Sequence, residues 1–189
     1  MSEAMRPISM FAIFVWSETV FGRLIERITG GPSHCAIGFT VADGTAFYFE
    51  SLFEDGFRGP KRFLKLVQWV QADPRRKMAW VELPLLREVC ERKWTLCETW
   101  VGHKGYAAWQ IVGMWFFERI GKFCGLHLPD GPRHLDCSEA LARIIQPDID
   151  CQRANGRGWD EQTPGSVLQA LALLGFAPSA DFWTVRLVE

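Results

Sequence analysis

Residues 33–51 read SHCAIGFTVADGTAFYFES, and this stretch predicts a β-hairpin. Its two halves, 33–41 and 45–51, are rich in apolar, aromatic and β-branched residues, and Ala42-Asp43-Gly44 forms a turn sequence between them. Each half also contains a polar residue that is out of place in an apolar strand, His34 in the first and Glu50 in the second. A carboxylate among aromatic residues is costly to bury alone, so a pairing of Glu50 with His34 would explain both residues.

The register of this hairpin decides whether the pair can form. A two-residue turn at Asp43-Gly44 places Ile37 opposite Glu50 and leaves His34 on the other face of the sheet. A three-residue loop, with its glycine in the left-handed conformation, places Ala36 opposite Glu50 instead. In this second register His34 lies diagonally across from Glu50 on the same face. We favour the second register because it brings the two polar residues together.

Apolar periodicity and helix boundary signals predict the other elements of the chain. Strands are expected at 8–16, 77–83 and 181–188, and helices at 18–28, 86–100, 107–120, 137–146 and 164–174. The first strand is expected to be central, and Ser17 to cap the first helix. The runs 33–41, 45–51 and 77–83 are interpreted as adjacent strands of one antiparallel sheet. The polar stretches around Pro60 and at 148–162 are interpreted as connections. No repeat or linker interrupts the chain, so we expect one α+β domain over residues 1–189.

Composition narrows the classes of function and location. The 189 residues carry a net charge of −1, which gives no general attraction to nucleic acid. No apolar run reaches transmembrane length, so stable membrane insertion is not expected. Residues 8–16 are as apolar as a signal peptide, but Glu3 precedes them and no small-residue cleavage site follows, so we expect a cytoplasmic protein. The six irregularly spaced cysteines indicate reduced thiols rather than a disulfide framework. The oligomeric state is not indicated.

Cys137 stands at the predicted start of an amphipathic helix, directly after Asp136. Asp is a good N-cap residue, and the positive end of the helix dipole favours a thiolate over a thiol. Ala140, Leu141 and Ile144 give this helix an apolar stripe on the same side as Cys137. Cysteine hydrolases and acyltransferases present their nucleophile in this way. The alternative is that Cys137 is a small buried apolar residue, as most free cysteines are.

The order of these motifs resembles a known family. The chain has Thr29-Gly30-Gly31, then the strands of His34 and Glu50, then Cys-Ser-Glu-Ala-Leu from Cys137, and finally Thr163-Pro164-Gly165. Over about residues 8–175 this resembles the circularly permuted branch of the NlpC-type papain-like superfamily, often called YiiX-like, which is related to lecithin retinol acyltransferase. In that group the histidine strand precedes the cysteine helix, which is the reverse of the papain order.

The resemblance implies a permuted papain-like fold, with a small antiparallel sheet packed against helices. It also implies a cysteine amidase, peptidase or acyltransferase of bacterial or phage type, with Cys137 as nucleophile, His34 as general base and Glu50 as the group that orients His34. Peptide, peptidoglycan-derived or acyl substrates follow from it, and no cofactor does. Tyr106 resembles a tyrosine that these proteins often have between their halves, in a structural or substrate-lining role. Some members use a later tyrosine, which this chain lacks, so the backbone N–H of Cys137 is the default oxyanion donor.

Two other interpretations use the same chain. Cys124 and His127 form a Cys-x2-His pair, and His134 and Cys137 form a His-x2-Cys pair six residues later. Four such nitrogen and sulfur ligands suit a structural zinc site. This interpretation leaves His34 and Glu50 unexplained. The second alternative is a non-enzymatic binding module that keeps the papain-like fold.

Overall fold

A five-stranded antiparallel sheet organises the fold. The computed structural model describes residues 5–52, 55–102, 137–158 and 162–179. Their strands are β1 (Pro7–Trp16), β2 (His34–Val41), β3 (Ala46–Leu52), β4 (Gly56–Arg62) and β5 (Lys77–Leu83). Their helices are α1 (Val20–Thr29), α2 (Phe63–Gln71), α3 (Arg87–Trp100), α4 (Cys137–Ile145), α5 (Cys151–Asn155) and α6 (Pro164–Leu173). The predicted helix at 107–120 and the predicted strand at 181–188 lie outside the described residues.

The hairpin adopts the register with the three-residue loop. Val41 and Thr45 close the loop through a backbone hydrogen bond of 2.9 Å, and Gly44 has a φ of 85°. Ala36 is therefore the cross-strand partner of Glu50, as predicted. A left-handed glycine costs no steric energy at this position, which is why the chain makes the longer loop.

The order of the strands is β4-β3-β2-β1-β5, with antiparallel pairing throughout. As predicted, β1 has a neighbour on each side. The prediction that the run at 77–83 lies next to the hairpin was wrong, because β1 separates β5 from β2. The hairpin's other neighbour is β4, although the polar stretch around Pro60 predicts a connection there. Pro60 is compatible with β4 because this strand forms the edge of the sheet, where a missing backbone donor is tolerated.

Three local predictions also need correction. Helix α2 follows β4 directly, although the sequence pattern predicts a polar connection in this region. The short helix α5 lies within the predicted loop 148–162. Thr19, and not Ser17, caps α1, because the Thr19 side chain accepts a hydrogen bond from the Gly22 N–H. By contrast, α6 begins at the predicted residue, with a capping box between Thr163 and Ser166.

The two faces of the sheet carry separate apolar clusters. On one face, β1, β2, β3 and β5 contribute buried side chains that pack against α2. On the other face the cluster includes side chains of α3, α4 and α6. Trp94 of α3 is the centre of this second cluster, and its ring contacts Phe39 and Phe49 edge to face. Within the part of the chain that is described, no helix is long and apolar enough to cross a bilayer.

Candidate active site

His34 and Glu50 form a direct contact at one end of the hairpin. His34 is the first residue of β2, and its Nε2 lies 3.1 Å from Oε2 of Glu50. The Glu50 side chain is 8 % exposed and that of His34 is 21 % exposed. The pair therefore lies near the surface but is largely shielded from water. Because of this shielding, a charged hydrogen bond between the two side chains is stronger than it would be in bulk solvent.

Lys61 binds the second oxygen of the same carboxylate. Its Nζ lies 2.7 Å from Oε1 of Glu50. Lys61 is on the edge strand β4, where it pairs with Tyr48, and its ammonium group lies 6.0 Å from the centre of the Tyr48 ring. Glu50 is thus fixed between two cationic partners, one on each oxygen, and this contact also restricts rotation of the carboxylate.

Cys137 is the first residue of α4, which is anchored at both ends. At the N-terminal end, the Ser138 hydroxyl donates a hydrogen bond of 2.8 Å to the backbone carbonyl of Gln162. At the C-terminal end, the ammonium group of Lys93 donates to the backbone carbonyl of Gln146 and lies 2.9 Å from a carboxylate oxygen of Asp148. Between these anchors the helix is buried on the sheet. The position of Cys137 is therefore set by packing and by hydrogen bonds beyond its own turn.

The structure brings Cys137 together with His34. The Cys137 sulfur both hydrogen-bonds to the His34 ring and interacts with it through charge. An ionised carboxylate only accepts hydrogen bonds, so Nε2 of His34 carries the hydrogen that faces Glu50. Nδ1 is then the nitrogen that is available to the sulfur. The three predicted residues Cys137, His34 and Glu50 form one continuous chain of contacts.

The contacts among Cys137, His34 and Glu50 favour the charged forms of these side chains. Burial lowers the pKa of His34, but the negative sulfur of Cys137 and the carboxylate of Glu50 outweigh burial and raise this pKa to about 10. Burial raises the pKa of Glu50, but the hydrogen bonds and charges of His34 and Lys61 bring it down to about 2. His34 is therefore favoured as an imidazolium between the Cys137 sulfur and the Glu50 carboxylate, and its positive charge favours ionisation of the thiol.

Other candidate residues of the sequence lie elsewhere. Tyr106, Cys124, His127 and His134 are outside the described residues, so the zinc interpretation rests on Cys137 alone here. Cys137 is engaged with His34. Among the residues that the structure describes, no group of three or more His, Cys, Asp or Glu side chains could hold a metal ion.

Sequence reasoning missed Lys61. The residue lies in a segment, Gly56–Arg62, whose glycines and proline conceal a strand. A usable signal was present: Glu50 on a buried strand needs compensating charge, and the next stretch of chain is basic, with Arg58, Lys61 and Arg62. The pairing of β3 with β4 brings Lys61 close to Glu50, and the distance of 2.7 Å between Lys61 Nζ and Glu50 Oε1 identifies it as the partner.

No family model matches this chain, and no curated protein matches it in sequence.

Proposed function

We propose that this protein is a cysteine hydrolase or acyltransferase that cleaves an amide or ester bond through Cys137, His34 and Glu50, within a permuted papain-like fold. One observation carries the proposal. The His34 ring contacts Cys137 on one side and is hydrogen-bonded to Glu50 on the other. A nucleophile, a base and a group that orients the base are the parts that nucleophilic catalysis by cysteine needs.

The charged resting state gives each residue a role in the first half of the reaction. The Cys137 thiolate attacks the substrate carbonyl carbon, a C–S bond forms, and negative charge develops on the carbonyl oxygen. The first backbone N–H groups of α4 have no acceptor within the helix, so the N–H of Cys137 is our candidate donor to that oxygen. His34 then gives its proton to the leaving nitrogen or oxygen as the C–N or C–O bond breaks, leaving a thioester.

The second half of the reaction restores the charged pair. Neutral His34 takes a proton from water, or from another acyl acceptor, as its oxygen or nitrogen attacks the thioester carbonyl. The C–S bond breaks, the acyl product leaves and the sulfur departs as thiolate. Throughout, Glu50 holds Nε2 of His34, so that the other ring nitrogen keeps facing the sulfur. Lys61 keeps the carboxylate of Glu50 in place.

The order of the elements supports the permuted arrangement. The histidine strand β2 comes before the cysteine helix α4 in the chain, and α4 packs on a sheet that contains β2. This order matches the family resemblance that the motifs carry. Peptide, peptidoglycan-derived and acyl substrates all fit chemistry of this kind, without a cofactor.

Acyl-enzyme trapping tests the proposal. Incubation with p-nitrophenyl acetate should add one acetyl group to the protein, and peptide mapping by mass spectrometry should locate it on Cys137. The His34→Ala variant should acquire the group at least about a hundredfold more slowly, since its thiol lacks a base. Circular dichroism of the variant checks that the fold is retained.

Two results would contradict the proposal. One is acetylation spread over several cysteines and lysines, with no preference for Cys137. The other is a rate for folded His34→Ala equal to that of the natural protein. About one tightly bound zinc ion per chain, lost in Cys137→Ser, would instead support the zinc interpretation.

A further inference from the structure

Helix α1 presents to solvent a stripe that combines apolar and basic side chains. Val20 and Leu24 are 89 % and 48 % exposed, and Val20 is the most exposed large apolar residue among those that the structure describes. Arg23 and Arg27 are exposed on the same helix. The spacing of these four residues, i, i+3, i+4 and i+7, places them on one face of α1. This face is therefore both apolar and cationic.

The positive charge of this stripe is not neutralised by the rest of the described chain. Neither Arg23 nor Arg27 forms an ion pair with a described residue. The acidic side chains nearest to them in the sequence have other partners. Glu18 forms an ion pair with Arg76, and Glu26 accepts a hydrogen bond of 2.9 Å from a backbone N–H of the segment before α1. Both guanidinium groups of the stripe are therefore available to an anionic partner.

An exposed tryptophan lies near the start of α1. Trp69 of α2 is 39 % exposed, and the guanidinium of Arg76 lies 4.2 Å from the centre of its ring. The same guanidinium binds Glu18, which comes two residues before Val20. Lys65, one turn earlier on α2, is exposed as well. An aromatic ring and a further cation therefore continue the surface beyond α1.

The composition of this surface distinguishes between kinds of partner. A stable protein–protein interface buries about 800 Å² and roughly 20–30 residues on each side, whereas the apolar side chains exposed here are those of Val20, Leu24 and Trp69. A bilayer surface requires no matching shape. Apolar side chains enter it between the lipid headgroups, arginines are attracted to anionic lipids, and tryptophan is favoured at the boundary between headgroups and hydrocarbon. A bilayer with anionic lipids therefore fits both the charge and the small apolar content.

We propose that the α1 surface, formed by Val20, Arg23, Leu24, Arg27 and Trp69, binds the headgroup region of a bilayer that contains anionic lipids. The binding is peripheral, because the ten residues of α1 form a helix of about 15 Å, half the thickness of the hydrocarbon core. The helix lies along the membrane, with its apolar side chains among the headgroups and its arginines beside lipid anions. None of these residues belongs to the proposed catalytic site, so the inference stands apart from the proposed function.

Co-sedimentation of the full chain with vesicles tests the proposal. The protein should bind phosphatidylcholine vesicles that contain about 30 % phosphatidylserine at least about tenfold more tightly than vesicles of phosphatidylcholine alone. High salt should remove most of this preference, because it screens the attraction. The double variant Arg23→Gln/Arg27→Gln should bind the anionic vesicles about tenfold more weakly. Val20→Ser/Leu24→Ser should show a loss of similar size, because it removes apolar side chains and keeps both charges.

Matched substitutions elsewhere control for the loss of charge and of apolar surface. Arg92→Gln/Arg153→Gln removes two exposed arginines of α3 and α5, and Leu86→Ser removes a leucine that is 73 % exposed. Both variants should bind vesicles as the natural protein does, and circular dichroism checks the folding of every variant.

Three results would overturn the proposal. The first is equal binding, or none, to the two kinds of vesicle. The second is unchanged binding in both folded α1 variants. The third is a concentration-dependent dimer that the α1 variants lose, without vesicle binding, which would assign this face to a second copy of the chain.

Discussion

The starts of helices α4 and α5 make an instructive comparison. Each helix begins with a cysteine preceded by an aspartate, Asp136-Cys137 and Asp150-Cys151. Both cysteines are buried, with 4 % and 3 % of their surfaces exposed. For Cys151, burial and the neighbouring Asp150 raise the pKa to about 11. Cys137 instead lies beside the His34 ring.

The difference shows that a helix start does not by itself make a nucleophile. In α5 the side chain of Asp150 accepts a hydrogen bond from the Arg153 N–H and remains a negative charge next to the sulfur. That charge opposes ionisation of the thiol. In α4 a cationic partner comes from a different element, β2, and favours ionisation. The tertiary contact therefore outweighs the local signal that the two helices share.

The largest difference between the two helix starts is expected when each cysteine is replaced by serine in a separate variant. We expect Cys137→Ser to lower the hydrolysis of p-nitrophenyl acetate by at least about a thousandfold, because the nucleophile is lost. Cys151→Ser should leave the rate within about twofold, provided that thermal unfolding shows the variant to be folded. If folded Cys151→Ser loses most of the activity and Cys137→Ser does not, the nucleophile is Cys151 of α5 and not Cys137 of α4.

The pH dependence of alkylation should also differ between Cys137 and Cys151. The alkylation rate of Cys137 by iodoacetamide should rise less between pH 6 and pH 9 than that of Cys151, because the His34 imidazolium, whose pKa is raised to about 10, favours the thiolate over this range. Cys151 should react slowly and speed up until about pH 11. Quantitative mass spectrometry of the two peptides follows both rates in one sample.

The His34→Ala variant shows whether the partner or the helix causes this difference. Its α4 is intact, so any benefit of helix position remains. We expect the rate of Cys137 at pH 7 to fall about tenfold and to rise steadily with pH, since most of the thiol is then protonated. A flat profile in folded His34→Ala would mean that the helix start suffices after all.

Lys61 extends the comparison to the orienting carboxylate. Lys61→Met should slow acylation of Cys137 about three- to tenfold, because Glu50 loses one of its two cationic partners. His34 and Tyr48 still contact the carboxylate, so the pKa of Glu50 should rise without returning fully to normal. The acid limb of the rate profile should therefore move to higher pH.

Two variants control the Lys61 experiment. Lys61→Arg keeps the charge and should retain most of the rate, while Lys65→Met removes an exposed lysine on α2 and should change nothing. If the acid limb of the rate profile does not move in Lys61→Met, Lys61 has no role in the ionisation of Glu50.

The smallest expected effect is on stability in acid. The pKa of Glu50 is about 2 in the folded chain, below its ordinary value of 4.5. A lowered pKa stabilises the fold above the unfolded value, and this contribution disappears as the pH falls towards the folded value. Between pH 5.5 and pH 3.5 the contribution shrinks by about 1 kcal/mol. Glu50→Gln should lose correspondingly less stability over this interval in urea unfolding. Equal losses in both proteins would exclude this role of Glu50.

Local patterns were sufficient to predict the hairpin and several helices. The glycine at position 44 suits the three-residue loop, and the pairing of His34 with Glu50 favours the same register, because a one-residue shift would move Glu50 to the opposite face. Thr163-Pro164 selects the start of α6 through capping and the fixed φ of proline. In each case the deciding interactions lie within a single hairpin or a single helix turn.

Strand order and the environment of the site depended on distant contacts. The strand that contains Pro60 was hidden because its edge position, which makes proline acceptable, is a property of the sheet and not of the segment. Lys61 was missed for the same reason. The position of β5 beside β1 likewise follows from packing between runs that are far apart in the chain.

The sequence by itself determined that His34 and Glu50 share a face and that Cys137 begins a buried helix. It did not reveal that Cys151 also begins a helix, and capping and apolar periodicity alone could not place either cysteine beside a histidine. Only the tertiary structure decided that, by packing α4 on the sheet so that its first residue reaches the first residue of β2. The physical reason is range: capping and register act over a few residues, whereas the charge that ionises a thiol comes from whichever element the fold places next to it.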